Sequence, residues 1–111
     1  MKVKDIKESL GLTVLGAESS LNNDVSGAYM SDLLSDVMGN ATEGQLWITL
    51  QNHKNVLAVA ALKEMSGIIF IKGAKPDEDF IKLANEKNIA LLYSDKPAFE
   101  TAGKLYAILN K

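Results

Sequence analysis

The sequence contains no cysteine among its 111 residues. The chain therefore has no disulfide bond, no thiol nucleophile, and no zinc or iron–sulfur site built on thiolate ligands. Histidine is nearly absent too, since His53 is the only one. A single imidazole has no second histidine with which to share a metal or to order a nucleophile such as Ser94. We therefore expect no metal site, no cofactor and no catalytic residues, so that the protein is not an enzyme.

Arginine is missing as well, because all twelve basic residues are lysine. Arginine supplies the planar guanidinium group that pairs with phosphate and guanine. Since the net charge is −2, we expect no nucleic-acid ligand. No apolar run approaches the roughly 20 residues that span a bilayer, and the first residues form no apolar signal core. The sequence thus predicts no membrane association and a cytoplasmic location.

The central part of the chain, residues 46–73, has the pattern of one βαβ unit. It runs from LWITL (46–50) through the polar QNHKN (51–55) and the apolar VLAVAAL (56–62) to GIIFI (67–71). Strands that are apolar at every position are typical of a parallel sheet covered on both faces. We therefore predict strand, polar turn, helix and strand in this order.

The flanking segments continue the alternation of helix and strand. We predict a helix over residues 3–10, a strand over 12–15, an extended segment over 25–30, and a helix capped by Ser31 that ends near Met38. A further helix is predicted from Pro76, a strand over 89–93, and a last helix that begins within residues 94–97. The predicted fold is a single α/β domain over residues 1–111, a three-layer α/β/α sandwich with a mainly parallel central sheet.

Three segments resemble the DRTGG-domain family. They are VSGAYMSDLLS (25–35), QLWIT (45–49) with AVA (58–60), and GIIF (67–70) through Ala84 to IALL (89–92). The resemblance implies a compact α/β domain similar in fold to the N-terminal domain of HPr kinase/phosphorylase. Such domains occur alone, or fused in phosphate acetyltransferases and with CBS modules in certain pyrophosphatases, as regulatory or dimerising modules without catalytic residues. The family's signature pentapeptide should fall near residues 52–56, where this chain has neither its arginine nor its glycines.

Polar residues follow the predicted strands where each strand meets a helix. In open parallel sheets, ligands bind outside the carboxyl ends of the strands, and helix N-termini favour anions. We therefore predict that a small anionic ligand, phosphate-like or nucleotide-like, binds among Thr49, Asn52, His53, Lys54, Asn55, Lys72, Lys75, Ser94 and Asp95. The alternative for these residues is a local one, in which the amides cap helices, the lysines are solvated and His53 is a surface residue.

The predicted helix after the polar turn has no polar face for two turns. A helix that is apolar all round is covered on both sides, and in so short a chain a second subunit is one way to cover it. We therefore predict a two-fold homodimer whose interface includes Val56, Leu57, Val59, Ala60 and Ala61. The alternative is that the preceding loop or the first helix covers the segment within one chain.

Two functions of different classes remain open at this point. The first is a non-catalytic regulatory or dimerising module that binds a small anion or a partner protein. The second is a ligand-free scaffold or accessory subunit for a kinase-like or redox partner of the hydrogenase type. An enzyme that uses His53 is the least favoured alternative.

Overall fold

The computed structural model describes residues 1–110 and has the predicted alternation of elements. The helices are α1 (Val3–Leu10), α2 (Leu34–Asn40), α3 (Asn55–Leu62), α4 (Glu78–Lys87) and α5 (Ala98–Leu109), with a 3-10 helix at Glu18–Asn22. The strands are β1 (Thr13–Gly16), β2 (Gly27–Met30), β3 (Gln45–Thr49), β4 (Gly67–Phe70) and β5 (Leu91–Tyr93). The predicted fold class is confirmed.

The strands form one five-stranded sheet in the order β1-β5-β4-β3-β2. Strands β2 to β5 run parallel to their neighbours, and β1 pairs with β5 in the antiparallel direction. The carboxyl ends of the four parallel strands therefore meet at one edge of the sheet. We call this the carboxyl edge; it is formed by the loops 31–33, 50–54, 71–77 and 94–97.

Successive side chains of the central strands enter two different cores. Trp47, Ile68 and Phe70 pack with α2, α3 and α4 on one face, and Phe70 meets Phe80 edge-on at 5.5 Å between ring centroids. Leu46 and Ile69 pack with α1 and α5 on the other face. Because both faces of β3 and β4 are buried, both sets of alternating positions must be apolar. This explains the unbroken apolar runs in the sequence.

Three helices begin later than predicted. Helix α2 begins at Leu34 with Leu33 at its N-cap position, and Ser31 instead accepts a hydrogen bond from the Leu33 amide at 3.1 Å. Helix α4 begins at Glu78, because the extended Asp77 accepts a hydrogen bond from the Phe80 amide at 2.8 Å. Helix α5 begins at Ala98. Pro76 and residues 94–97 thus belong to loops at the carboxyl edge. A polar residue that precedes a helix can accept a hydrogen bond from a first-turn amide without being part of the helix.

No helix within residues 1–110 combines the length and the apolar composition that crossing a bilayer requires.

The role of Asp77 as the N-cap residue of α4 can be tested by substitution. Replacing Asp77→Ala removes the hydrogen bond to the Phe80 amide and should lower the free energy of unfolding by about 1 kcal/mol. Asp79→Ala, in the first turn of the same helix, is the matched control, since Asp79 is exposed and is not the capping residue. Urea unfolding monitored by circular dichroism measures the difference. Equal losses for the two variants would contradict the capping role of Asp77.

Candidate functional site

Hydrogen bonds join three loops of the carboxyl edge to one another. The Asn52 side-chain amide donates to the Lys75 carbonyl at 3.1 Å, which joins loop 50–54 to loop 71–77. The Lys72 amide donates to the Lys96 carbonyl at 3.2 Å, which joins loop 71–77 to loop 94–97. Asn52, Lys72 and Lys75, which we predicted to be near one another, therefore belong to one connected surface.

Tyr93, at the end of β5, contacts loop 71–77 through its hydroxyl and its ring. Its hydroxyl accepts a hydrogen bond from the Gly73 amide at 3.2 Å, and the Lys75 ammonium lies 4.9 Å from the centroid of its ring. A cation over an aromatic face is attracted by the ring's negative electrostatic potential. Tyr93 thus fixes both the backbone of loop 71–77 and the position of one of its lysines.

Thr49 is buried at the end of β3 and shapes the loop that follows it. The side chain is 1% exposed, its hydroxyl donates to the Asp32 carboxylate at 2.8 Å, and it accepts from the Gln51 amide at 2.9 Å. The same Asp32 oxygen accepts a hydrogen bond from the Leu50 amide at 2.7 Å. Asp32, from the loop after β2, therefore holds the start of loop 50–54 in place.

His53 and Asn55 interact with each other at the start of α3. The Asn55 amide donates to Nδ1 of His53 at 3.1 Å, and the His53 amide donates to the Gln51 side chain at 3.3 Å. The next two amides, of Val56 and Leu57, donate to the carbonyls of His53 and Lys54. The amides that could have attracted an anion at this helix N-terminus are therefore satisfied by the chain itself.

Ser94 and Asp95 take different positions in loop 94–97. Ser94 is buried, shares a hydrogen bond of 2.8 Å with the Thr101 hydroxyl, and accepts from the Lys96 amide at 3.2 Å. These contacts are those of a turn that leads into α5. Asp95 is exposed, and its carboxylate lies 4.0 Å from the ammonium of Lys96. Ser94 thus shapes the turn into α5, and Asp95 lies on the surface of the edge.

The carboxyl edge carries exposed lysines together with the exposed carboxylates of Asp32, Asp77 and Asp95. Lys54, Lys72 and Lys75 are exposed. Within residues 1–110, the lysine–carboxylate pairs closer than 4.0 Å are Lys2 with Asp24 and Lys104 with Glu100, and neither belongs to this edge. These three lysines are therefore not neutralised by an ion pair in the part of the chain described here. In the same part of the chain, no cluster of three or more histidine or acidic side chains is arranged to hold a metal ion.

The residues predicted at a dimer interface are mostly covered by their own chain. Val56, Leu57, Val59 and Ala60 are buried, and they pack with α2, α4 and the sheet. Among the predicted interface residues, Ala61 is exposed, and the adjacent Leu62 is 67% exposed. The cover of α3 is thus intramolecular, but α2, α4 and the sheet supply it, and not the preceding loop or the first helix as the sequence suggested. A dimer formed on this helix would have to use its exposed residues, which include Ala58, Ala61 and Leu62.

Asp32 and Tyr93 are important at this edge and were not among the residues predicted from the sequence. Asp32 follows an extended segment whose place in the sheet the sequence does not reveal, and β2 proves to be the neighbour of β3. In the sequence, Tyr93 is only the last residue of a predicted apolar strand. Its distance from Lys75 depends on the pairing of β4 with β5. In both cases the missing information is the order of the strands.

The comparison with known proteins agrees with the fold and with the resemblance seen in the sequence. The model of the DRTGG domain matches residues 5–108, so the chain belongs to the DRTGG domain family. A similar solved structure is that of the CBS and DRTGG domains of the regulatory region of Clostridium perfringens pyrophosphatase, complexed with its activator diadenosine tetraphosphate. The sequences are 16% identical, the TM-score is 0.74, and the match covers 94% of this chain and 45% of that one. The comparison with curated proteins gives no match.

The role of Asp32 in shaping loop 50–54 can be tested by truncation. Asp32→Ala leaves the buried Thr49 hydroxyl and the Leu50 amide without their acceptor, which should cost about 1–3 kcal/mol of stability. Hydrogen exchange should show faster exchange at the amides of Leu50 and Gln51. Asp95→Ala, on the neighbouring loop, is the control and should change neither quantity. Unchanged exchange in the Asp32→Ala variant would contradict the role.

The pKa values of Asp24, Tyr29 and Asp36 are clearly shifted from their ordinary values. The hydrogen bond and the charge of Lys2 lower the pKa of Asp24. The hydrogen bond to Asp36 raises the pKa of Tyr29. Hydrogen bonds from Ser31 and Tyr29 lower the pKa of Asp36 below its ordinary value of 3.8. The Tyr29 hydroxyl lies 2.9 Å from both oxygens of Asp36, and so ties β2 to α2.

The shift at Asp36 predicts a pH dependence of stability. Because the folded-state pKa lies below the unfolded-state value of 3.8, ionised Asp36 stabilises the fold above that pH, and this contribution is lost as the pH falls through the lowered pKa. Asp36→Asn should therefore be less stable than the wild type at pH 7, and the difference should shrink as the pH falls below 3.8. Urea midpoints measured across this range test it. A difference that stays constant with pH would contradict the assignment.

Proposed function

We propose that this DRTGG-family domain is a non-catalytic, cytoplasmic regulatory module that binds a small phosphate-bearing anion at the carboxyl edge of its sheet. The observation that carries the proposal is the surface formed by Lys72 and Lys75, which hydrogen bonds connect to the loops on either side. Both side chains are exposed, and neither has a carboxylate within 4.0 Å among residues 1–110.

The position of this surface favours a ligand site over a chance group of lysines. Ligands of open parallel sheets bind outside the carboxyl ends of the strands, and loop 71–77 follows the central strand β4. The loop is held on three sides, by Asn52, by Tyr93 and by the Lys96 carbonyl. A loop that is already fixed loses less conformational entropy when it binds a ligand.

The chemistry of the surface favours a phosphate group as the ligand. An ammonium group acts as a compact positive charge with three donors, which suits a phosphate that lysine can approach from several directions. The Lys75 ammonium lies 4.9 Å from the centroid of the Tyr93 ring, a contact that favours this position of its charge at the edge. The α3 N-terminus does not contribute, because its first amides are already paired.

The structural relative suggests which anions to test first. The regulatory region of Clostridium perfringens pyrophosphatase that contains CBS and DRTGG domains was crystallised with diadenosine tetraphosphate, which is its activator. At 16% identity the structural similarity is evidence for the fold and not for the ligand, so nucleotides are only candidate ligands for this chain. Pyrophosphate, ATP and diadenosine tetraphosphate together separate recognition of phosphate from recognition of a nucleoside.

A ligand-free scaffold for a kinase-like or redox partner is the second candidate. The observation that favours it is the complete pairing of the first α3 amides, which removes one of the usual anion-binding features from this edge. Under this alternative the lysines of loop 71–77 are solvated surface residues.

Titration calorimetry at low salt with pyrophosphate, ATP and diadenosine tetraphosphate separates the two candidates. The proposal expects binding by the wild type, and an affinity about tenfold weaker in Lys75→Ala, because a charge-assisted hydrogen bond is lost. Lys72→Ala should weaken binding in the same direction.

The matched control is Lys4→Ala. Lys4 is also exposed, but it lies in α1. The amide at the start of α1 donates a hydrogen bond to the Asn23 carbonyl, and the Asn23 side chain donates one to the Ser66 carbonyl, just before β4. Lys4 therefore lies near the opposite end of the strands, and its removal should leave the affinity within about twofold, because a charge at that distance makes no direct contact with the anion and interacts with it only weakly through water. Absence of binding for all three compounds, or equal weakening by all three variants, would contradict the anion site and favour the scaffold.

A further inference from the structure

A cleft opens between the edge strand β2 and helix α5. Helix α5 packs against β2 and β3, and β2 is the last strand of the sheet. Ala28 of β2 and Ala102 of α5 line the cleft, and their small side chains leave space between the strand and the helix. Its volume is about 370 Å³, within the range of about 300–1,000 Å³ that is typical of small-molecule sites. We call it the β2–α5 cleft.

The lining of the β2–α5 cleft is apolar where it is buried and polar where it is exposed. Ile48 and Leu105 line it and are each 1% exposed, so its most buried part is apolar. Ser26, Gln45 and Asn110 also line it; Ser26 and Asn110 are exposed, and Gln45 is half-buried. An apolar interior with a few polar groups nearer the solvent is the usual composition of a site for a small organic ligand.

Charge is missing from this lining. None of the lining residues within residues 1–110 is charged, although 23% of the chain is. A charged ligand that entered the cleft would lose part of its hydration and would find no counter-charge, which costs free energy. A neutral ligand does not have this cost. The β2–α5 cleft therefore favours a neutral molecule, whereas the carboxyl edge has exposed lysines and carboxylates.

The chain uses only part of the hydrogen-bonding capacity of the two side-chain amides in the lining. The Gln45 side-chain oxygen accepts a hydrogen bond from the Thr42 amide at 2.8 Å, and the Asn110 side-chain nitrogen donates one to the Tyr106 carbonyl at 2.9 Å. Within residues 1–110, no hydrogen bond joins the side-chain nitrogen of Gln45 or the side-chain oxygen of Asn110 to another group. A donor and an acceptor thus remain for a ligand.

We propose that the β2–α5 cleft binds a neutral small organic molecule that combines an apolar ring with a carboxamide-like group. The ring lies against Ile48 and Leu105, and the polar group pairs with the side-chain amides of Gln45 and Asn110. A carboxamide has both a carbonyl acceptor and N–H donors, which complement the donor of Gln45 and the acceptor of Asn110. The proposal is independent of the anion site, because the cleft shares no residue with the four loops of the carboxyl edge.

NMR titrations of the ¹⁵N-labelled protein with benzamide, benzoate and benzylamine test the proposal, because these probes share one ring and differ in charge. Benzamide should cause saturable shift changes at the amides of Ala28, Ala102 and Leu105. Its dissociation constant should be at least about tenfold lower than those of benzoate and the benzylammonium ion, because only the charged probes lose hydration without a counter-charge. Equal affinity for benzoate, or no saturable change with benzamide at tens of millimolar, would overturn the proposal.

Filling the β2–α5 cleft from the helix side tests its location. Ala102→Leu adds a larger side chain in the lining and should weaken benzamide binding about tenfold or more, because the ring and the leucine compete for the same space. Ala107→Leu is the matched control, since Ala107 lies in the same helix, is exposed and does not line the cleft. It should leave the affinity unchanged. Equal effects of the two substitutions would overturn the assignment of the site.

Gln45→Glu gives a result that a damaged fold would not reproduce. The variant keeps a side-chain oxygen for the Thr42 amide but replaces the unpaired donor by a negative charge. It should weaken the binding of benzamide and strengthen the binding of the benzylammonium ion, so that the order of the two affinities moves toward the cation. An unchanged ratio of the two affinities would overturn the role of Gln45 in the site.

The same spectra distinguish a small ligand from another protein chain in the cleft. Without any probe, the amide shifts of Ala28, Ala102 and Leu105 should not depend on the concentration of the protein. Shifts at these amides that change with protein concentration would show that a second copy of the chain occupies the cleft, and would overturn the proposal of a small-molecule site.

Discussion

Burial of both faces of β3 and β4 is the constraint on which the rest of this structure depends. Leu46 and Ile69 point into one core, and Trp47, Ile68 and Phe70 point into the other, all of them almost completely buried. A sheet covered in this way needs helices on both sides, and parallel neighbours need crossover connections. The three layers and the order of the helices follow. The carboxyl ends of β2 to β5 then have to meet at one edge, where the polar loops collect.

The loops of that edge are built mainly from the chain's own hydrogen bonds. Asp32 holds the start of loop 50–54, Asn52 and Tyr93 hold loop 71–77, and Ser94 shapes the turn into α5. Much of the polar character in this part of the sequence is therefore used for structure. The exposed charges of this edge include the ammonium groups of Lys72 and Lys75, on a loop whose backbone is held by hydrogen bonds. This combination of a rigid frame with exposed ammonium groups is the basis for proposing an anion site.

The fold was largely predictable from the sequence because it is encoded by periodicity. The apolar runs of β3 and β4 indicate strands buried on both faces, and the spacing of α4 and α5 indicates helices. The strand order was not predictable, because it depends on contacts between segments far apart in the chain. This is why Asp32 and Tyr93 were missed. Helix α3 shows the same limit: its apolar composition indicates complete covering, but only the structure identifies α2 and α4 as the cover of Val56 and Leu57.

The most direct test of the central claim is an NMR titration of the ¹⁵N-labelled protein with pyrophosphate at low salt. If the carboxyl edge binds the anion, amide shifts should change first and most strongly in loop 71–77, including Gly73, with smaller changes in loops 50–54 and 94–97. The amides of α1, near the opposite end of the strands, should stay unchanged. Shift changes confined to other surfaces, or no saturable change at millimolar pyrophosphate, would contradict a ligand site at this edge.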